Sequence, residues 1–184
     1  MESGTFRRYP GTDGKEGRSN MAKSSELRMS HLREVPSAHR IQCVYLTCFQ
    51  PEFSILAITL QYSAIRMHRA ETLEEADFLL TVTGSTVLLS DVTFLDGSWQ
   101  DALLMAQEVH PLVASLVVAE PFDWPFLESA YARGACGTLD KPVDFIRAIQ
   151  LIRTLHEAVR DRVSLLRDDS AETAALGLPS THCR

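Results

Sequence analysis

The chain has 184 residues, 45% of them hydrophobic, enough for one domain with a full core and some chain to spare. No apolar run approaches the roughly 18 to 20 residues of a bilayer-spanning helix, which argues against a membrane protein. The net charge of −6 is uneven: residues 1–40 carry eight Lys and Arg against five Asp and Glu, residues 41–184 ten against nineteen, and so acidic a body argues against direct DNA binding.

Residues 1–39 are short of apolar side chains, with Gly, Ser and Pro spread through YPGTDGKEGRSN, and read as a disordered or weakly ordered tail. Within it, Met21 and Met29 compete with Met1 as the start. Arg7-Arg8 is followed by no apolar stretch, so a secretory or twin-arginine signal is not expected. Cys43, Cys48, Cys136 and Cys183 form no CxxC and have no closely spaced histidines. Reduced thiols in a cytoplasmic protein are the expectation.

From residue 40 the pattern alternates. RIQCVYL (40–46) reads as a first strand, and Pro51-Glu52 suits the start of a helix over PEFSILAITLQYSA. IRMHRA (65–70) is a weak second strand. Thr72 stands three residues before Glu75, a capping-box spacing, for a helix that ends at Gly84. VLLSD is the third strand, Asp96-Gly97 closes the loop after it, and WQDALLMAQEVH sets Ala102, Leu103, Ala106 and Val109 on one helical face. LVASLVVA (112–119) is a buried strand by its β-branched content. The next helix enters on Pro125 and leaves at Gly134. CGTLD leads to Lys141-Pro142 and a long helix, along which Ile146, Ile149, Ile152, Leu155, Val159, Val163 and Leu166 step by threes and fours. Five strands alternating with five helices in about 120 residues predict an α/β fold with a doubly wound five-stranded parallel sheet over residues 40–160. Residues 161–184 are then a helix overhang and C-terminal tail. The part of the stripe at Val159, Val163 and Leu166 runs past the expected domain end, where it is either simple overhang or a homodimer or partner contact.

Asp91 ends an apolar strand that does not want a carboxylate, and Lys141 leaves the fifth strand. In a sheet of this order both strand ends open on one crevice, within salt-bridge reach of each other. This pair, carried by LLSDVTFLDGSW and GACGTLDKPVD some fifty residues apart, resembles the receiver domain of bacterial response regulators, a flavodoxin-like (βα)5 fold. The resemblance covers about residues 40 to 160. It implies phosphoryl transfer from a histidine kinase to Asp91, with Mg²⁺ bound by Asp91 and the Thr93 carbonyl and with Lys141 on the phosphoryl oxygens.

Three parts of the receiver pattern are missing. The acidic pair after the first strand falls on Tyr45 and Leu46 by one count and within Thr47 to Gln50 by another, and neither holds a carboxylate; Glu52 is the first, inside the expected helix. The Ser or Thr after the fourth strand falls on Val118 or Ala119. The aromatic switch residue on the fifth strand is Thr138. The expectation is therefore a stand-alone, degenerate receiver in two-component phosphorelay signalling. It would act through contacts with a kinase, another signalling protein or itself, with Trp124, Phe126 and Tyr131 as candidate anchors and Mg²⁺ doubtful. The alternative is a haloacid-dehalogenase-like phosphatase with Asp91 as nucleophile. That loop needs a second acid where Thr93 stands, and it belongs on a first strand. His68, His110 and His156 are isolated and read as structural or surface groups.

Overall fold

The computed structural model describes residues 40–121 and 124–175, with side chains to Arg167. In chain order the elements are β1 (Ile41–Leu46), α1 (Gln50–Gln61), β2 (Ile65–Ala70), α2 (Leu73–Thr83), β3 (Val87–Asp91), β4 (Thr93–Phe94), β5 (Gly97–Ser98), α3 (Trp99–Val109), β6 (Ala114–Ala119), α4 (Trp124–Ala132), β7 (Gly137–Asp140) and α5 (Phe145–Ala175). Five strands form one parallel sheet in the order β2-β1-β3-β6-β7, as the alternating pattern predicts. The chain steps outward from β1 to β2 and then crosses back to β3. The carboxyl ends of β1 and β3 therefore flank the crevice of an open α/β sheet.

Strand alternation assigns the two faces. Cys43, Tyr45, Val87, Leu89, Leu116, Val118 and Leu139 pack against Leu56 and Leu60 of α1 and Ala148 and Ile152 of α5. On the opposite face Val44, Leu46 and Leu88 meet α2 and α3, while Val117 and Ala119 meet Trp99, Leu103 and Ala130. Strands buried on both sides explain the near-continuous apolar runs in the sequence. No helix among the described residues is long and apolar enough to cross a membrane.

The local stop signals act as expected. Thr72 caps α2 by accepting the Glu75 N–H, and Gly84 ends that helix in the left-handed region at φ 62°. Asp96-Gly97 closes a short antiparallel hairpin of β4 and β5. Both Asp96 carboxylate oxygens accept the Leu73 N–H, so the hairpin rests on the positive end of α2. Two expectations need correction. Val109 is exposed, and buried Trp99 takes the fourth place on the inner face of α3. Ile146 is 69% exposed, so the α5 stripe begins at Ile149. α5 runs on to Ala175; Val159, just before the expected overhang, is only 9% exposed within this single chain, while Val163 is half-buried and Leu166 exposed. The N-terminal tail and Cys183 lie outside the described residues. Cys43 is a buried thiol, and Cys48 and Cys136 are exposed ones.

Gly134 turns the chain out of α4 at φ 91°, where a Cβ would be strained and would collide with Gln107 Nε2. That amide donates to the Arg133 carbonyl (2.6 Å) and ties α3 to the turn. Gly134→Ala is expected to cost about 1–2 kcal/mol in urea unfolding, from backbone strain and the displaced glutamine.

Candidate functional site at the carboxyl ends of the strands

Asp91 is the last residue of β3, opposite Val118 of β6, and only 2% exposed. An ionised carboxylate so buried must have its lone pairs filled. Oδ1 accepts from the Tyr45 hydroxyl at 2.8 Å and from Lys141 Nζ at 2.8 Å, and Oδ2 accepts from the Thr47 hydroxyl at 2.5 Å. Tyr45 and Thr47 come from β1 and the residue just past it, alternating with Leu46, whose side chain lies in the opposite core. Thr47 Oγ1 also accepts the Phe49 N–H (3.0 Å), which holds the start of α1 against the strand end.

Lys141 follows β7, with a cis bond to Pro142. Its ammonium is shared between Asp91 and Glu52 Oε2, the latter at 2.9 Å, and lies 5.0 Å from the centroid of the Phe49 ring. Glu52 stands in the first turn of α1, as the sequence suggests, yet the helix start is aimed so that its carboxylate reaches the crevice. Desolvation pulls the Lys141 pKa down, but the hydrogen bonds and charges of Asp91 and Glu52 outweigh it and hold the pKa above the ordinary lysine value. Burial raises the Tyr45 phenol, and the charge and hydrogen bond of Asp91 raise it further. Burial alone pushes the Cys43 thiol up to about 12.

Above the pair opens a cavity of about 220 Å³ lined by Phe49, Asp91, Val92, Thr93, Val118, Ala119, Glu120 and Lys141. Asp91, Thr93, Lys141 and both substituted positions, Val118 and Ala119, thus meet at one place. Thr138 does not join them: it is buried in β7 beside Val117. Val159, Val163 and Leu166 belong to α5 and are not part of the crevice lining. The histidines are tethered elsewhere, His68 to Gln42 (2.8 Å), His110 to Asp77 (2.6 Å) and His156 to Thr86 (2.7 Å). Of the three aromatic candidates, Phe126 packs edge-on against Trp99 (5.4 Å), and Trp124 and Tyr131 are exposed.

No protein-family model matches the chain, and no curated protein matches it in sequence. Solved structures do match. The signal receiver domain of a protein described as a LuxO repressor, from Vibrio parahaemolyticus, superposes with a TM-score of 0.63 at 12% identity, covering 68% of this chain and 97% of that one. The Francisella response regulator 1452 receiver domain gives 0.60 at 13%, covering 65% and 98%. A BeF3-activated DrrB receiver domain gives 0.56 at 19%, covering 64% and 98%. This chain has the receiver fold. Almost all of each neighbour is matched, so one complete receiver fold is present here. At these identities the likeness concerns the fold.

Within that fold, the residues around Asp91 are a poor match for Mg²⁺, which wants about six oxygen ligands in a near-octahedral shell. Of the carboxylates at hand, Asp91 and Glu52 are both committed to one ammonium, and Glu120 on the cavity wall is exposed. The Tyr45 and Thr47 hydroxyls point their protons, not their lone pairs, at Asp91. No group of three or more His, Cys, Asp or Glu among the described residues could hold a metal ion.

Two outcomes follow for stability. Lys141→Met leaves Asp91 buried with its main counter-charge gone and is expected to cost about 3 kcal/mol in urea unfolding; adding Asp91→Asn should cost less than the sum of the two single changes. The native chain holds Lys141, Tyr45 and Cys43 protonated above their ordinary values of 10.5, 10.0 and 9.0. The unfolded chain releases those protons first, so stability should fall as pH rises above about 9. The Lys141 share is complete below 10.5 and is lost as pH climbs through its folded value; a urea-midpoint series against pH should lose that share in Lys141→Met.

Proposed function

We propose that the chain is a receiver-like module of two-component signal transduction that acts through protein contacts, with Asp91 kept as one half of a buried ion pair rather than as a phosphoacceptor. The observation that carries this reading is that both carboxylate oxygens of Asp91 already accept hydrogen bonds, from three donors. Attack on a phosphoryl donor needs a free carboxylate oxygen, a cation to neutralise the transferred group and a site positioned for both. Here Tyr45, Thr47 and Lys141 use the oxygens, and Glu52 competes for the ammonium that phosphoryl oxygens would need. Val118 and Ala119 offer no hydroxyl to follow a phosphoryl group. A histidine kinase or another signalling protein is the partner class this reading implies. No observation favours a phosphatase: Asp91 sits on the third strand, and exposed Thr93 stands where the second acid would be.

The test is a Mg²⁺ titration followed by beryllofluoride, read by amide NMR shifts with Asp91→Asn as control. The expected outcome at millimolar Mg²⁺ is no Asp91-dependent shift at Val92, Thr93 or Lys141. An Asp91-dependent shift there on beryllofluoride would overturn the reading and make Asp91 a working phosphoacceptor.

A further inference from the structure

β2 is an edge strand, bonded to β1 on its inner side only. The Ile41 N–H bonds the Ala64 carbonyl and the Thr47 N–H bonds the Ala70 carbonyl. With the two-residue period of a parallel ladder, residues 64, 66, 68 and 70 turn their backbone groups toward β1. Ile65, Met67 and Arg69 therefore turn theirs outward. No hydrogen bond among the described residues uses those outward groups.

The start of this edge is basic, the reverse of the body, whereas at its far end Arg69 is paired with Glu71. Arg40 and Arg66, with Ala57, Ile58, Gln61 and Met67, line a cavity of about 370 Å³ between α1 and the edge, and no carboxylate lines it. A second, independent observation points the same way. Among the described residues, only two buried side-chain donors lack an acceptor, Arg40 Nε and Arg69 Nε. Arg40 precedes the first residue of β1, beside the start of β2, and Arg69 is near the far end of β2. A buried donor left unpaired is costly; the rest of the Arg69 guanidinium is held by Glu71 (2.6 Å) and the Cys48 carbonyl (3.2 Å), so Arg40 and exposed Arg66, with no carboxylate beside them, are the cations left to take acceptors from outside the edge.

We propose that the outer edge of β2 receives an extended acidic segment of a partner protein, which adds to the sheet as a sixth strand. Its backbone pairs with Ile65, Met67 and Arg69, and its carboxylates meet Arg40 and Arg66. Strand addition of this kind draws affinity from main-chain hydrogen bonds and specificity from alternate side chains. Six residues of β2 span about 20 Å, so a segment of about that many residues suffices. A second copy fits less well, because pairing two β2 edges would gather Arg66 and Arg69 of both chains along one seam. The inference goes beyond the crevice reading and does not depend on the state of Asp91.

The experiment uses the full ¹⁵N-labelled chain and a synthetic octapeptide alternating Glu and Val, with the Lys-for-Glu peptide as control. The expected result is shifts and slowed amide exchange centred on Ile65, Met67 and Arg69 with the acidic peptide only. Arg66→Glu should weaken binding by roughly tenfold or more, and Arg40→Gln should weaken it in the same direction. Arg66 is exposed, and an unchanged unfolding midpoint checks that its variant folds; Arg66→Gln serves if it does not. Three results would overturn the proposal: no response at β2, equal binding of the Lys peptide, or binding indifferent to both arginine changes. Concentration-dependent dimerisation that protects the β2 amides without peptide would also overturn it, by placing a second copy on the edge.

Discussion

The ion pair between Asp91 and Lys141 is the constraint from which the rest of the crevice follows. A carboxylate at 2% exposure cannot keep its charge on strand geometry alone, so every element that ends nearby brings something to it. β1 contributes the Tyr45 hydroxyl, the turn after it Thr47, α1 Glu52 and the segment after β7 the lysine. The pair thereby joins α1 and three strands, β1, β3 and β7, from three separate stretches of the chain. Such pairs seldom add net stability over apolar packing, but losing one partner strands a buried charge, and that asymmetry holds the arrangement in place.

The proposed loss of phosphoryl chemistry rests on the same geometry. In a receiver fold the strand ends are an opening where a phosphoryl group can be positioned and neutralised. In this chain the opening still has a cavity, but its one buried carboxylate and its ammonium face each other, and the neighbouring strand end is capped by Val118 and Ala119. Phe49 lies over the ammonium and gives the mouth an apolar side. The loop after Asp91 is also braced: it folds into the β4–β5 hairpin, and Asp96 holds that hairpin to the start of α2. A site braced on both sides favours one arrangement over two, which suits a module read through its surface.

The sheet's two edges differ in what surrounds them. At the β2 edge, arginines gather in an otherwise acidic body, and two of their buried nitrogens lack acceptors. Edge strands commonly carry charge to discourage pairing with other chains. Charge of one sign is also selective, because it rejects like-charged strands and leaves acidic ones as the compatible class.

Strand and helix order, the stops at Gly84 and Gly134, the Thr72 cap and the Asp91–Lys141 pairing were all legible in the sequence. Each depends on local chemistry or on the fixed topology of alternating βα units: apolar periodicity, turn residues, and the rule that parallel strands open their carboxyl ends on one side. The aim of side chains across the crevice was not legible. Tyr45 and Thr47 fall, by alternative counts, where the acidic pair is expected, but nothing in the sequence shows that both hydroxyls face Asp91; only the alternation of β1 against β3 reveals it. Glu52 reads as a helix-start carboxylate; its reach to Lys141 depends on how α1 is seated, which packing on Leu56 and Leu60 decides. Along α5 the heptad-like stripe gave no hint that Ile146 is open and Val159 covered. Sequence alone thus determined the elements and their order, because those follow from contacts near in the chain. Tertiary structure decided which polar groups share the buried charge and which edge stays open, because those depend on residues dozens of positions apart being brought together.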